Sequence, residues 1–202
     1  MGNTAFRYGC LSYPVHQLYG RSHARTGSID NERVLTMLMM GIDPGTATTG
    51  FGFVREKDDG DIVAVHYGVV LTEKGTPMPK RLQKLYNDLT ALIAEYKPDA
   101  AAIEEMFFGK NVTAAITVAQ GRGVALLAME NAKLPIHEYK PAQIKQTIAG
   151  YGNAPKPQMQ EMVRTLLNLE TIPKPDDAAD ALAIALTALQ SSRWERMVDE
   201  DY

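Results

Sequence analysis

Four acidic residues of this chain stand where a carboxylate has chemical use. Asp43 ends the apolar run MLMMGID and is followed at once by Pro44 and Gly45, while Glu104 ends a second apolar run, AAIE. Asp177 and Asp180 are three apart at the start of the last helical segment, hence on one face. A carboxylate at the mouth of a buried strand is costly unless a cation meets it, which points to a metal ion or a phosphate-bearing ligand. Were the four to converge, two like charges about 4 Å apart would cost on the order of 4 kcal/mol at an effective dielectric of 20. Divalent cations relieve that cost. Ligands that are all oxygen select hard ions such as Mg2+, and two ions roughly 4 Å apart bind a scissile phosphate, ionise an attacking water and stabilise the leaving oxygen. The chemistry indicated is phosphodiester hydrolysis.

Each residue alone has an ordinary structural explanation. Asp43 before Pro-Gly suits a turn, Glu104 and Glu105 suit a solvated strand end, and Asp176 and Asp177 suit helix capping worth about 0.3 to 1 kcal/mol. The joint pattern favours a cation site. Cysteine-held zinc is excluded from the folded part because the single cysteine, Cys10, precedes the first periodic strand. The histidines (His16, His23, His66, His137) form no i, i+4 pair that would ligate a metal.

The elements that must position these carboxylates follow from periodicity and turn signals. Strands are expected at 37–43, 49–56 and 62–72, separated by Pro-Gly and Asp-Asp-Gly-Asp turns in an antiparallel meander. A helix is expected over 78–96, where Leu82, Leu85, Tyr86, Leu89, Leu92, Ile93 and Tyr96 share one stripe and Pro98 ends it. A buried strand at 99–105, a long helix at 111–131 and a strand at 135–139 come next. Helices at 141–149, 156–169 and 176–190 complete a mixed sheet with helices packed on its faces. The helix at 111–131 carries small residues, among them Ala114, Ala115, Val118, Ala119 and Gly123, that permit close helix approach, either within one subunit or between two.

At 202 residues the chain fits one domain with a substantial core. Residues 1–36 lack periodicity and read as a disordered or non-native extension, with Met37 or Met39 a plausible start. Residues 37–190 read as the folded domain, and 191–202 as a polar acidic tail whose Trp194 is either a partner anchor or part of a frayed helix end. No apolar run approaches the roughly 20 residues that span a bilayer, so the expected location is cytoplasmic, with no membrane partner. A net charge of −3 argues against a general polyanion binder. Residues 105–165 nevertheless hold seven basic side chains against four acidic ones, an excess of three that suits either a phosphate backbone or a solvated surface.

The segments GIDPGTATTGFGFV, AAIEEMFFGKN, AQGRGVAL, IKQTIAGYGNAPKPQMQEMVR and DDAADALAIA, in this order between Met39 and Leu189, together resemble the RuvC family of Holliday-junction resolvases. The resemblance implies a ribonuclease-H-like α/β fold with a mixed five-stranded sheet and helices on both faces. It implies a homodimer that nicks two opposed strands of four-way junction DNA, with two Mg2+ per site (Mn2+ as a substitute) and a branch-migration helicase complex as partner. The family's metal-binding acids fall on Asp43, Glu104, Asp177 and Asp180, the register of DAAD favouring Asp177 over Asp176. Its catalytic-cleft lysines fall on Lys145 and Lys156, and its junction-inserting aromatic on Phe107, next to Phe108 and close to Lys110. By spacing alone Phe107 sits just past a strand-end ligand, where stacking on a base is worth about 1 to 3 kcal/mol, although a core position is the alternative.

Three other functions compete. A nuclease of the same superfamily acting on RNA shares the acids; Phe107, Lys145 and Lys156 favour the junction enzyme. A sugar-kinase or actin-like ATPase also opens with an Asp-x-Gly-Thr turn (Asp43 to Thr46) but needs a second phosphate-binding half. A DNA-binding module without activity has no use for four hard-ligand carboxylates.

Overall fold

β1 (Leu38–Asp43) is an apolar run with neighbours on both edges, so it forms the middle of the sheet. The computed structural model, which describes residues 37–106 and 112–200, pairs it antiparallel with β2 (Thr48–Glu56) and parallel with β4 (Ala100–Glu104). β3 (Ile62–Leu71) continues the antiparallel meander beyond β2, and β5 (Ile136–Tyr139) pairs parallel with β4. The order β3-β2-β1-β4-β5 is the mixed five-stranded sheet that the alternating pattern predicts.

Side chains alternate across the sheet with period two, and the two sets enter two separate cores. Leu38, Met40, Ile42, Phe51, Phe53, Ala101 and Ile103 face α1 (Met78–Tyr96) and α2 (Val112–Asn131). Met39, Val54, Ala100 and Ala102 face α3 (Pro141–Ala149), α4 (Lys156–Leu166) and α5 (Asp176–Glu200). Helices therefore cover both faces. α1 buries Leu85, Leu89 and Ile93 at i, i+4 and i+8, and ends with Lys97 in the left-handed conformation just before Pro98.

α5 is buried all round over Ala181–Leu189 and apolar there except for Thr187, whose hydroxyl donates to the Ala183 carbonyl, which makes it the central helix of its layer. Its seat is a track of glycines. A methyl group at Gly41 would lie 2.2 Å from the Ala181 carbonyl oxygen, and one at Gly52 2.9 Å from Leu182 Cδ2. Only hydrogen at these positions lets a helix backbone settle onto the strands.

Two helix ends differ from the sequence expectation. α4 stops at Leu166, not 169, because Asn168 takes a left-handed conformation that ends the helical backbone. α5 continues through Glu200 instead of stopping at 190, since SSRWERMVDE contains neither Gly nor Pro to break it. Residues 191–200 thus extend the helix, and Trp194 is an exposed side chain on it. Gly41→Ala is expected to destabilise the fold by about 1 to 3 kcal/mol or more, because the clash is with backbone that has nowhere to move. Thermal melts compared with Gly152→Ala, whose added methyl meets nothing closer than 3.4 Å, provide the check.

Candidate active site

The same parity that builds the two cores sets the two strand-end carboxylates. Asp43 is in phase with Met39 and Gly41, and Glu104 with Ala100 and Ala102, so both point to the α5 side. The parallel register Met39↔Ala100 through Ile42↔Ile103, extended by one step, sets Asp43 beside Glu104. β2 then contributes an opening: Gly50 lies opposite Asp43, and a methyl there would stand 2.0 Å from the Asp177 carbonyl oxygen and 3.2 Å from Asp43 Cβ. The first turn of α5 is thereby laid directly against the Asp43 strand end. Asp177 and Asp180 come with it.

The turn after Asp43 is pinned from several sides. Thr49 Oγ1 donates to the Gly45 carbonyl, Thr72 Oγ1 donates to the Thr46 carbonyl, and Arg81 Nε donates to Thr72 Oγ1 at 2.8 Å. On the α2 side the turn abuts Gly121, where a methyl would be 2.8 Å from the Gly45 carbonyl oxygen. An Asp held by so constrained a turn has little freedom to swing away from its neighbours.

The electrostatics follow from that confinement. The Asp43 carboxyl is pushed from an ordinary 3.8 up to about 8, first by burial and then by the charges of Asp180, Glu104 and Asp177. Glu104 is raised for the same two reasons, burial and then Asp180, with Lys145 acting against them. Lys156 Nζ lies 2.9 Å from Asp180 Oδ2 and 3.6 Å from Asp176 Oδ2, and the Asp180 bond holds its ammonium above the usual lysine range. Asp176 is drawn below its ordinary value by Lys174, then by Gln160. It belongs to the lysine-paired rim.

Among the described residues no three carboxylates stand at a common coordination point. The donor set fits a hard divalent cation: oxygen ligands only, with the Asp43 carboxyl raised first by burial and then by its acidic neighbours. His66 stacks on Tyr96 at 5.0 Å and His137 on Tyr139 at 6.5 Å, so these two histidines serve packing. Phe107, Phe108 and Lys110 lie outside the described residues. Sequence reasoning gave no role to Gly50, whose signal was a glycine inside the aromatic strand TTGFGFV, or to Arg122, the single basic residue of a helix rich in small and apolar residues.

The family model described as crossover junction endodeoxyribonuclease RuvC matches residues 39–188. The crossover junction endodeoxyribonuclease RuvC of Chloroflexus aggregans is 59% identical over 150 residues, which is 74% of this chain and 91% of that protein. This chain belongs to the RuvC family. The structure of Thermus thermophilus RuvC is similar with a TM-score of 0.73 at 35% identity, covering 79% of this chain and 97% of that one. The T. thermophilus RuvC complex with Holliday junction substrate gives a TM-score of 0.71 at 33% identity, covering 78% and 96%. The sheet described above is accordingly a ribonuclease-H-like one, and the RuvC family activity is that of an endodeoxyribonuclease of recombination and repair, a hydrolase acting on DNA with divalent metal.

The raised Asp43 carboxyl has a consequence for stability. Between pH 4 and about 8 the unfolded chain has lost this proton while the folded chain keeps it, so the folded state binds more protons and stability falls as pH rises. In chelator the total loss from this group is on the order of 5 kcal/mol, complete above pH 8. Melts in chelator across this range are expected to show the decline, with Asp43→Asn more stable than the parent at pH 8. Equal stability of the two proteins at pH 8 would contradict it.

Proposed function

We propose that this chain resolves four-way DNA junctions as a homodimer by paired symmetric nicks, each nick a two-metal-ion hydrolysis at Asp43, Glu104, Asp177 and Asp180. The observation that carries the reading is the strand register that sets Asp43 beside Glu104, with the first turn of α5 and its Asp177 laid against Gly50 opposite Asp43. Mg2+ is the ion we assign, two per site, with Mn2+ as a substitute. Bound there, the ions would supply Lewis-acid stabilisation of the attacking and leaving oxygens. A water oxygen forms the new bond to phosphorus as the bridging oxygen departs with the electron pair. Lys145, beside Glu104, and Lys156, beside Asp180, supply positive charge to the phosphate, so Lys156 exchanges its carboxylate partners for the substrate.

Phe107 and Phe108 are assigned to stacking at the branch point, and Lys110 to its phosphates. For the homodimer, support comes from α2. Ile116 and Leu127 are about half exposed, and with exposed Ala119 and Gly123 they form one stripe at i, i+3, i+7 and i+11. The open space at Gly123 leaves room for a second helix. A branch-migration helicase complex is the partner expected to present the junction. No described helix is long and apolar enough to cross a membrane, and we assign the enzyme to the cytoplasm.

Asp43→Asn is expected to abolish Mg2+-dependent cleavage of a synthetic four-way junction and to leave junction binding nearly intact. Asp177→Asn and Asp180→Asn should each cost far more activity than Asp176→Asn; the reverse ranking would move the ligand by one position. Leu127→Glu is expected to shift the protein from dimer to monomer in light scattering and to abolish paired nicking. A monomeric parent protein would overturn the α2 assignment.

A further inference from the structure

Two consecutive residues of α2 touch the two chain segments that carry Asp43 and Glu104. Gly121 packs against the turn after Asp43, where an added methyl would stand 2.8 Å from the Gly45 carbonyl oxygen and 3.0 Å from Thr46 Cγ2. Arg122 Nε donates to the carbonyl of Glu104 itself at 3.1 Å, and Arg122 Nη2 donates to Glu138 Oε2 on β5. The Arg122 side chain is only 17% exposed, in a helix otherwise small and apolar around it.

A guanidinium presents donors in a rigid plane, so holding Glu138 with one nitrogen fixes the direction in which Nε meets the Glu104 carbonyl. The helix thus braces the last residue of β4 against β5 while its preceding residue braces the turn beyond β1. Glu138 balances the guanidinium, so the brace adds no net positive charge to repel cations from the neighbouring carboxylates.

We infer that Arg122, held by Glu138, is a positioning residue that sets where the Glu104 carboxylate stands relative to Asp43 and thereby tunes the cation affinity of the site. The inference rests on the assignment of Glu104 as a cation ligand. The two bonds of Arg122 go to the Glu104 carbonyl and to Glu138. Its effect passes through the Glu104 backbone, as hydrogen bonds behind a ligand commonly do.

Mn2+ titrated calorimetrically into the full chain, without DNA, tests it. Arg122→Met is expected to weaken Mn2+ binding about 10- to 100-fold and to raise the Mg2+ concentration for half-maximal junction cleavage by a similar factor, with junction binding in chelator unchanged. Glu138→Gln, which keeps an acceptor but removes the charge, should fall between parent and Arg122→Met. Parental Mn2+ affinity in folded Arg122→Met overturns the inference. Should that variant fail to fold, Arg122→Lys keeps the cation beside Glu138 without the planar fork and must show the same weakening, or the inference falls. Glu104→Gln measured alongside separates the two claims. If it loses Mn2+ while Arg122→Met does not, only the positioning role is wrong; if it binds Mn2+ as the parent does, the ligand assignment fails and takes the positioning role with it.

Discussion

The approach of the α5 backbone to the sheet at Gly41, Gly50 and Gly52 is the contact on which the rest of the structure depends. Any side chain on this track would hold the helix off by an ångström or more. The first turn of α5 would then no longer reach the ends of β1 and β4, and Asp177 and Asp180 would face solvent. What keeps the helix down is burial. Leu182, Ile184, Leu186 and Leu189 are all fully enclosed, and each contributes roughly 1.5 to 3 kcal/mol relative to exposure. That sum exceeds the few kcal/mol of repulsion gathered where the helix starts. The N-terminal end of the helix adds a smaller favourable term for Asp177, about 0.3 to 1 kcal/mol.

The carboxylate site is thus a destabilised place supported by a stable one. Asp43 is confined by a turn whose carbonyls are bonded to Thr49 and Thr72, and cannot relax away from its neighbours. Protonation is one relief, with Asp43 holding its proton up to about pH 8. Lys156 is another, paired with Asp180 and Asp176 across the gap between α4 and α5. The Lys156 contact is given up readily, because a half-exposed ammonium exchanges partners at little cost. A site of this kind selects for incoming positive charge.

Much of this was legible in the residues themselves. Alternation of period two and the Pro-Gly and Asp-Gly turns gave the strands, the antiparallel meander and the mixed sheet, and the strand-end acids marked the site because a charge at the end of a buried run needs a reason. The glycine track was not read, because one glycine in a strand signals close approach without saying which element approaches. The end of α5 was misjudged because polar composition was taken as a stop, whereas helices stop at breakers and caps. Arg122 escaped notice because its partners lie 16 and 18 residues away in sequence, beyond what periodicity connects. The assignments to Phe107, Phe108 and Lys110 rest on the resemblance of EEMFFGKN, which falls partly outside the described residues.

α2 connects the internal geometry of one site to the proposed pairing of two. Its inner face carries Gly121 and Arg122 against the Asp43 and Glu104 segments, while its outer face shows Ile116, Gly123 and Leu127 to solvent. Gly123 and Arg122 are adjacent, so the surface proposed to meet a second copy and the surface proposed to order the strand ends share one turn of one helix. A two-fold axis through such stripes would fix the two carboxylate sets at a single separation and in opposite senses, since the helix is stiff over its 20 residues. Symmetric nicking needs that fixed separation more than it needs any particular residue at the interface. In this arrangement the spacing between the sites and the spacing within each are set by the same rigid element, so loosening α2 would degrade both.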